Sequence, residues 1–172
     1  MAMDTPQRDL VGIDEYRHMT GYMSTGLAVL TCEKGSHTAA ITVDSYMSVS
    51  WDPPTMAVSV YSGSRMMEAL ETARRYTLSV LSADQQDTAE WLGTPGQPIY
   101  GLLSQIPTET TELGGVVIAD CLAYFTVDIA QRTEITTHTL VSGPVVDQGE
   151  RNTEGTPLQR FHRSYGTFTE PN

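Results

Sequence analysis

Cysteine is nearly absent from this chain of 172 residues: there are two, Cys32 and Cys121, with no CxxC pair and no Cys/His cluster. Two cysteines cannot build a disulfide framework, so a reduced, cytoplasmic setting is expected. The four histidines, His18, His37, His138 and His162, lack metal-ligand spacing. Basic residues are scarce too: 10 Lys and Arg stand against 21 Asp and Glu, for a net charge of −11. A nucleic-acid groove needs cations that displace counterions from phosphate, and an anionic membrane surface needs the same sign, so neither partner is expected. No apolar run approaches the roughly 20 residues that cross a bilayer. The start, MAMDTPQRDLVG, lacks the basic-then-apolar pattern of a leader peptide. There is no GxSxG elbow, no GxGxxG after a strand, and no internal repeat.

What is present suits one globular domain over residues 1–172: hydrophobic residues make up 40% and charged residues 18%, enough to bury a sizeable core. Asp14–Met23 predicts a short helix capped by Asp14, with Tyr16, Met19 and Met23 as core contacts at helical spacing. Leu27–Glu33 predicts a strand, Lys34–Ser36 a turn, and His37–Ser50 one long strand stopped by Pro53 and Pro54, which cannot donate to a ladder. Thr55–Tyr61 and Tyr76–Leu81 predict further strands around a helix over Ser64–Arg75 with Ser64 as its N-cap. Ser82 and Gln85, at capping-box spacing, open a second short helix to Leu92. Gly93–Gly115 predicts a surface excursion, and 116–134, 137–149 and 157–168 all read as strand. Many strands with a few short helices give a mainly β fold, an antiparallel barrel that is closed or nearly so.

The stretch ITVDSYMSVSWDPPT, residues 41–55, is the most distinctive. If no bulge intervenes, strand alternation places Thr42, Asp44, Ser48 and Ser50 on one face. A hydroxyl-rich face pointing to water explains this as well as a polar cradle for a phosphate or the edge of a heterocycle.

The chain resembles the flavin reductase-like family, the short-chain reductases with an FMN-binding split barrel. HTAAITVDSYMSVSWDPPTMAVSV, residues 37–60, resembles the hallmark His-Gly-x-Thr-Val-Asn-Ser-Phe-Thr-Ser-Val-Ser-x-Asp-Pro-Pro. YRHMTGYMSTGLAVLT, YTLSVLSADQ, ADCLAYFTVDI, THTLVSGPVV and PLQRFHRSY are similar, in order, to the family's other blocks. The resemblance implies an antiparallel split β-barrel, a homodimer, bound FMN or FAD, and NADH or NADPH as hydride donor. Reduced flavin in this family often serves a partner monooxygenase. Carried onto this sequence, Thr25 and Gly26 approach the isoalloxazine edge, with Thr42, Val43, Asp44, Ser45 and Val49 in the cradle. Ser48, Ser50, Ser64 and Arg65 hold the phosphate, Tyr165 adds a closing-strand contact, and His138 meets the nicotinamide. The chain departs from the pattern at Asp44 (family Asn), Met47 (family Thr) and Thr136-Thr137 (family Gly-Asp). Those departures suggest an alternative: a flavin pocket repurposed to bind or rearrange a small hydrophobic metabolite.

Overall fold

The computed structural model describes residues 10–98 and 100–169. Most of the amino-terminal segment read above for a leader therefore lies outside the described residues.

Two buried strands form the middle of the main sheet. β2 (Ala28–Lys34) and β6 (Arg75–Val80) are buried on both faces along most of their length, as expected of strands sandwiched between two layers. β3 (His37–Val43) pairs with β2 on one side, and β9 (Ala123–Asp128) pairs with β6 on the other. β9 is followed by β10 (Gln131–Ile135) and the long β11 (His138–Glu150). The first half of β11 lies between β10 and β5 (Pro54–Tyr61); its second half runs beside β9. β4 (Tyr46–Trp51) pairs with β5 and ends the sheet. The order is thus β3-β2-β6-β9-β11-β5-β4, antiparallel throughout.

β11 serves both halves of the barrel by changing partner between Pro144, opposite Thr55, and Val145, opposite Val127, with a register shift between Val145 and Asp147. A Cβ at Gly143 would overlap the carbonyl oxygen of Asp128, so only glycine fits at this point of the strand.

β3 and β4 are consecutive in the chain yet lie at opposite edges of the sheet, joined only by Asp44 and Ser45. Here the structure corrects the expectation of one strand over His37–Ser50. β3 is committed to β2 and β4 to β5, so the chain must leave one ladder and enter another. The split in the barrel is this two-residue step; a 2.8 Å bond from the Ser59 N–H to the Ser45 carbonyl ties its second residue to β5.

Two helices pack against the barrel. α2 (Arg65–Thr72) buries Met66, Met67, Ala69 and Leu70, and Ser64 caps it by accepting from the Met67 N–H at 3.1 Å, a contact worth about 1 kcal/mol. Arg132 of β10 donates to the carbonyls of Leu70 and Ala73, satisfying the other end of α2. α3 (Gln86–Gly93) follows a 3-10 turn at Ala83–Gln85, where the Gln85 side chain accepts from the Ser82 N–H at 3.1 Å as its spacing predicts. The excursion over 93–115 contains a 3-10 turn at Leu102–Gln105 and β7 (Thr108–Thr110), which pairs with β8 (Val116–Ile118). The stretch 116–134 is thus three strands rather than one. At the rim, the short β1 (Thr25–Gly26) pairs with β12 (Leu158–Phe161), which turns back into β13 (Ser164–Thr167).

α1 (Ile13–Thr20) is the second correction. It starts after Gly12 rather than Asp14, ends before Met23, and buries none of its residues. Tyr16, Met19 and Met23 are more than half exposed, so they are not contacts of this chain's own core.

Candidate active site at the split of the barrel

The split opens onto a cleft of about 590 Å³. Asp44, Ser45 and Tyr46 form its floor, Ser59 of β5 one wall, and α1 with the β12–β13 turn the others. A second cleft of about 540 Å³ lies on the far side of β1 and β12, against α3. Asp44, Arg160 and Arg163 line both clefts. Between them, Arg160 Nη1 lies 3.6 Å from Asp44 Oδ2. This answers the oddity of an aspartate where the family pattern has an amide: its charge faces a guanidinium.

At Gly26, β1 passes close over the floor. A Cβ there would come within 2.8 Å of the Tyr46 hydroxyl oxygen. The Tyr46 phenol is largely desolvated, which raises its pKa and keeps it a proton donor at neutral pH.

The first cleft contains three arginines, Arg17, Arg160 and Arg163, against the single carboxylate of Asp44. Such a lining, in a chain whose net charge is −11, marks the cleft as an anion site. Hydroxyls of Thr20, Thr25, Ser45 and Ser59 add hydrogen-bonding capacity, and Tyr16, Met23 and Met47 add apolar wall. A flat heterocycle with a phosphate tail fits this donor set: space held open by glycine, apolar contact for a ring, and cations for the anion.

The residues expected from sequence divide into three groups. Thr25, Asp44 and Ser45 line the first cleft, and Gly26 abuts it. Thr42, Val43 and Tyr165 line the second cleft instead. The Thr42 hydroxyl is already used, donating to the Ala89 carbonyl at 2.8 Å, and the Val43 side chain is in the core. The rest line neither cleft. The register slips between Ser48 and Ser50, so Val49 is bulged and the common hydroxyl face of residues 42–50 does not exist. Ser50 is opposite Thr55 at one end of β5, and its hydroxyl is engaged with the backbone of Asp52. Ser64 and Arg65 follow the other end of β5, six residues along at Tyr61. At about 3.3 Å per residue that is roughly 20 Å, too far for Ser50 and Arg65 of one chain to share a phosphate. His138 begins β11 opposite Tyr61, its ring 5.8 Å from the Tyr61 ring. It stands on the rim, just beyond the wall residue Ser59.

Sequence reasoning did not select Arg17, Tyr46, Ser59, Arg160, His162 or Arg163. For Arg160, His162 and Arg163 the available signal was the cluster of bases in RFHRSY, conspicuous in so acidic a chain; Arg17, Tyr46 and Ser59 had none.

Residues 19–169 match the family model of the flavin reductase like domain. The chain is 29% identical over 161 residues to the NADH-dependent FMN reductase of Streptomyces nodosus subsp. asukaensis, covering 93% of this chain and 87% of that one. It is 30% identical over 154 residues to the FMN reductase (NADH) of Agrobacterium fabrum, covering 90% and 85%. Among solved structures it is similar to the styrene monooxygenase flavin reductase of Pseudomonas putida, with a TM-score of 0.80 and 26% identity, covering 92% of this chain and 99% of that one. With a family match over most of its length and a mainly antiparallel barrel split at Asp44–Ser45, this chain belongs to the flavin reductase-like family.

Proposed function

We propose that the protein is an NAD(P)H-dependent flavin reductase, using FMN or FAD, that passes reduced flavin to a partner monooxygenase. The carrying observation is the cationic cleft at the barrel's split, in a chain that is otherwise strongly acidic. The reported relatives, named for NADH, FMN and a monooxygenase, support this reading and not the repurposed pocket. A flavin bound there supplies the chemistry, accepting a hydride from a reduced nicotinamide.

The protein's part is binding and orientation. Thr25, Ser45 and Ser59 present polar groups to a ring edge, and Tyr46 offers a phenolic proton that burial retains. Arg65, at the start of α2, is the proposed anchor for the flavin phosphate. The Ser64 hydroxyl is committed to capping α2, so its contribution there is the helix start itself. His138 and Tyr61, side by side on the rim, are proposed to receive the nicotinamide.

A homodimer belongs to the same proposal. β4 is an edge strand with Met47, Val49 and Trp51 exposed, Trp51 at 91%, and α1 presents an uncovered apolar face. Exposed edges and apolar patches of this kind call for a partner surface, here a second copy. The pairing also gives Ser48, Val49 and Ser50 a route to a ligand held by the other subunit. No helix among the described residues is long and apolar enough to cross a membrane. A single cytoplasmic domain is proposed, consistent with two buried, unpaired thiols.

The test is a titration of purified protein with FMN, followed by NADH oxidation, with light scattering in parallel. Micromolar flavin binding, NADH consumption and a two-chain mass are expected. Protein that neither binds flavin nor oxidises NADH or NADPH refutes the reductase, and a one-chain mass refutes the shared site.

A further inference from the structure

The link between β12 and β13 is two residues long, His162 and Arg163, with Phe161 paired to Ser164 across it. Both linking residues have positive φ, 48° and 66°. A two-residue turn of this kind favours Asn-Gly, because side chains other than those of Gly, Asn or Asp are strained there. Glycine at 163 would be the relaxed choice. Neither side chain is buried, so packing into the core does not explain the pair.

Both side chains do face the first cleft. The His162 N–H donates to the Gly21 carbonyl at 3.0 Å, and its ring meets those of Tyr22 at 4.3 Å and Phe161 at 4.5 Å. These contacts fix the turn against the end of α1. Arg163 is thereby held where the two clefts meet. Arg17 approaches the first cleft from α1. Arg160 is paired with Asp44, but among the described residues neither Arg17 nor Arg163 has a carboxylate partner.

Two uncommitted guanidiniums on one cleft match a ligand with two linked anionic groups, since each fork can engage one phosphate. A flavin mononucleotide carries a single phosphate, for which Arg65 is already proposed. We propose that Arg163 and Arg17 bind the diphosphate of a dinucleotide, and that the strained turn serves to aim Arg163. FAD and the nicotinamide dinucleotides share this group. Their identity as ligands rests on the reductase reading, whereas the diphosphate site rests on the arginines and the turn.

The experiment measures ADP, FMN, FAD and NAD⁺ binding by calorimetry, and NADH kinetics and Tm, for wild type, Arg163→Gly and Arg17→Gln. Arg163→Gly should raise Tm by releasing the strained turn and weaken ADP about tenfold or more, the scale of a lost charge-assisted contact. Arg17→Gln should weaken ADP similarly without the rise in Tm. If FAD is the source, the FAD-to-FMN affinity ratio falls about tenfold in both variants. If the nicotinamide dinucleotide is the source, NAD⁺ affinity falls and the KM for NADH rises with that flavin ratio constant. The proposal is overturned by wild type that fails to bind ADP at millimolar concentration, by ADP affinity within twofold of wild type in either variant, or by a fall in Tm for Arg163→Gly. Arginine-dependent ADP binding in a protein with no flavin turnover would sink the reductase and keep the diphosphate site. Flavin turnover with arginine-independent ADP binding would do the reverse.

Discussion

Replacing Asp44 by asparagine separates the fold's use of this side chain from the cleft's use of it. The Arg160–Asp44 pair is 3.6 Å apart, with side chains 45% and 37% exposed. Unscreened, such a separation at an effective dielectric of about 20 corresponds to roughly 5 kcal/mol. Exposed pairs retain only about 0.2–1 kcal/mol after solvent screening and side-chain entropy. Asp44→Asn should therefore lower Tm by no more than about 4 °C in a chain of this size. The ligand feels a different change. The charged lining goes from three arginines and one carboxylate to three arginines alone. For the diphosphate of FAD held by Arg17 and Arg163, and taken at about 7 Å from the lost carboxylate with an intermediate dielectric of about 40, the gain is roughly 1 kcal/mol, a five- to tenfold tighter complex. Flavin fluorescence titrations at low salt should show it. At 0.5 M salt, where the screening length is about 4 Å, most of the gain should vanish. Arg160→Gln alone should weaken flavin, and the double variant, with the original charge balance restored, should return near wild type. Weaker binding in Asp44→Asn, or the same gain at both salt concentrations, would refute the electrostatic account of this position.

Two further outcomes follow from the barrel itself. Gly143→Ala drives a methyl into the backbone of Asp128, which cannot move aside as a side-chain tip would, so a loss of about 3 kcal/mol is expected in urea denaturation. Cys32 and Cys121 are buried thiols whose pKa values desolvation pushes up from 9.0 to about 12 and about 11. Below pH 9 both folded and unfolded thiols are protonated and stability is undiminished. Above it the unfolded chain sheds protons that the folded chain keeps, so stability should fall as pH rises from about 9 toward 12. Denaturation curves at pH 7, 9 and 10 test this, and thiolate absorbance in folded protein at pH 9 would contradict it.

Much of the fold is legible in local chemistry. Ser64 and the Ser82–Gln85 pair mark helix starts because capping is a matter of three or four adjacent residues. Leu27–Leu30 reads as a strand from its unbroken apolar run, and Tyr76–Val80 from its period-two alternation of apolar residues with Thr77 and Ser79. The step at Asp44–Ser45 is marked in ITVDSYMSVS only by two adjacent polar residues, a lapse in alternation that does not by itself separate two strands: the break comes from two different partners, β2 and β5, chosen by the tertiary fold. The bulge at Val49 is hidden for the same reason, and with it goes the shared hydroxyl face. α1 shows how periodicity reveals a stripe without saying what covers it. The His162-Arg163 turn contains neither glycine nor asparagine, the residues by which such turns are usually found.

The pairing of β1 with β12, Thr25 opposite Arg160, has a consequence for how the protein is made. These partners lie near opposite ends of the chain, so the loop they close is nearly the whole molecule. Such closure is among the slowest events in folding, and contacts of this sequence separation form late. Before β12 and β13 arrive, β3, β2 and β6 can pair, as can β4 with β5, but the cleft lacks Arg160 and Arg163. Ligand binding therefore waits for β12 and β13 to join the cleft. A cofactor present during synthesis cannot template the early barrel and can act only afterwards, by holding the late-arriving β12–β13 hairpin in place.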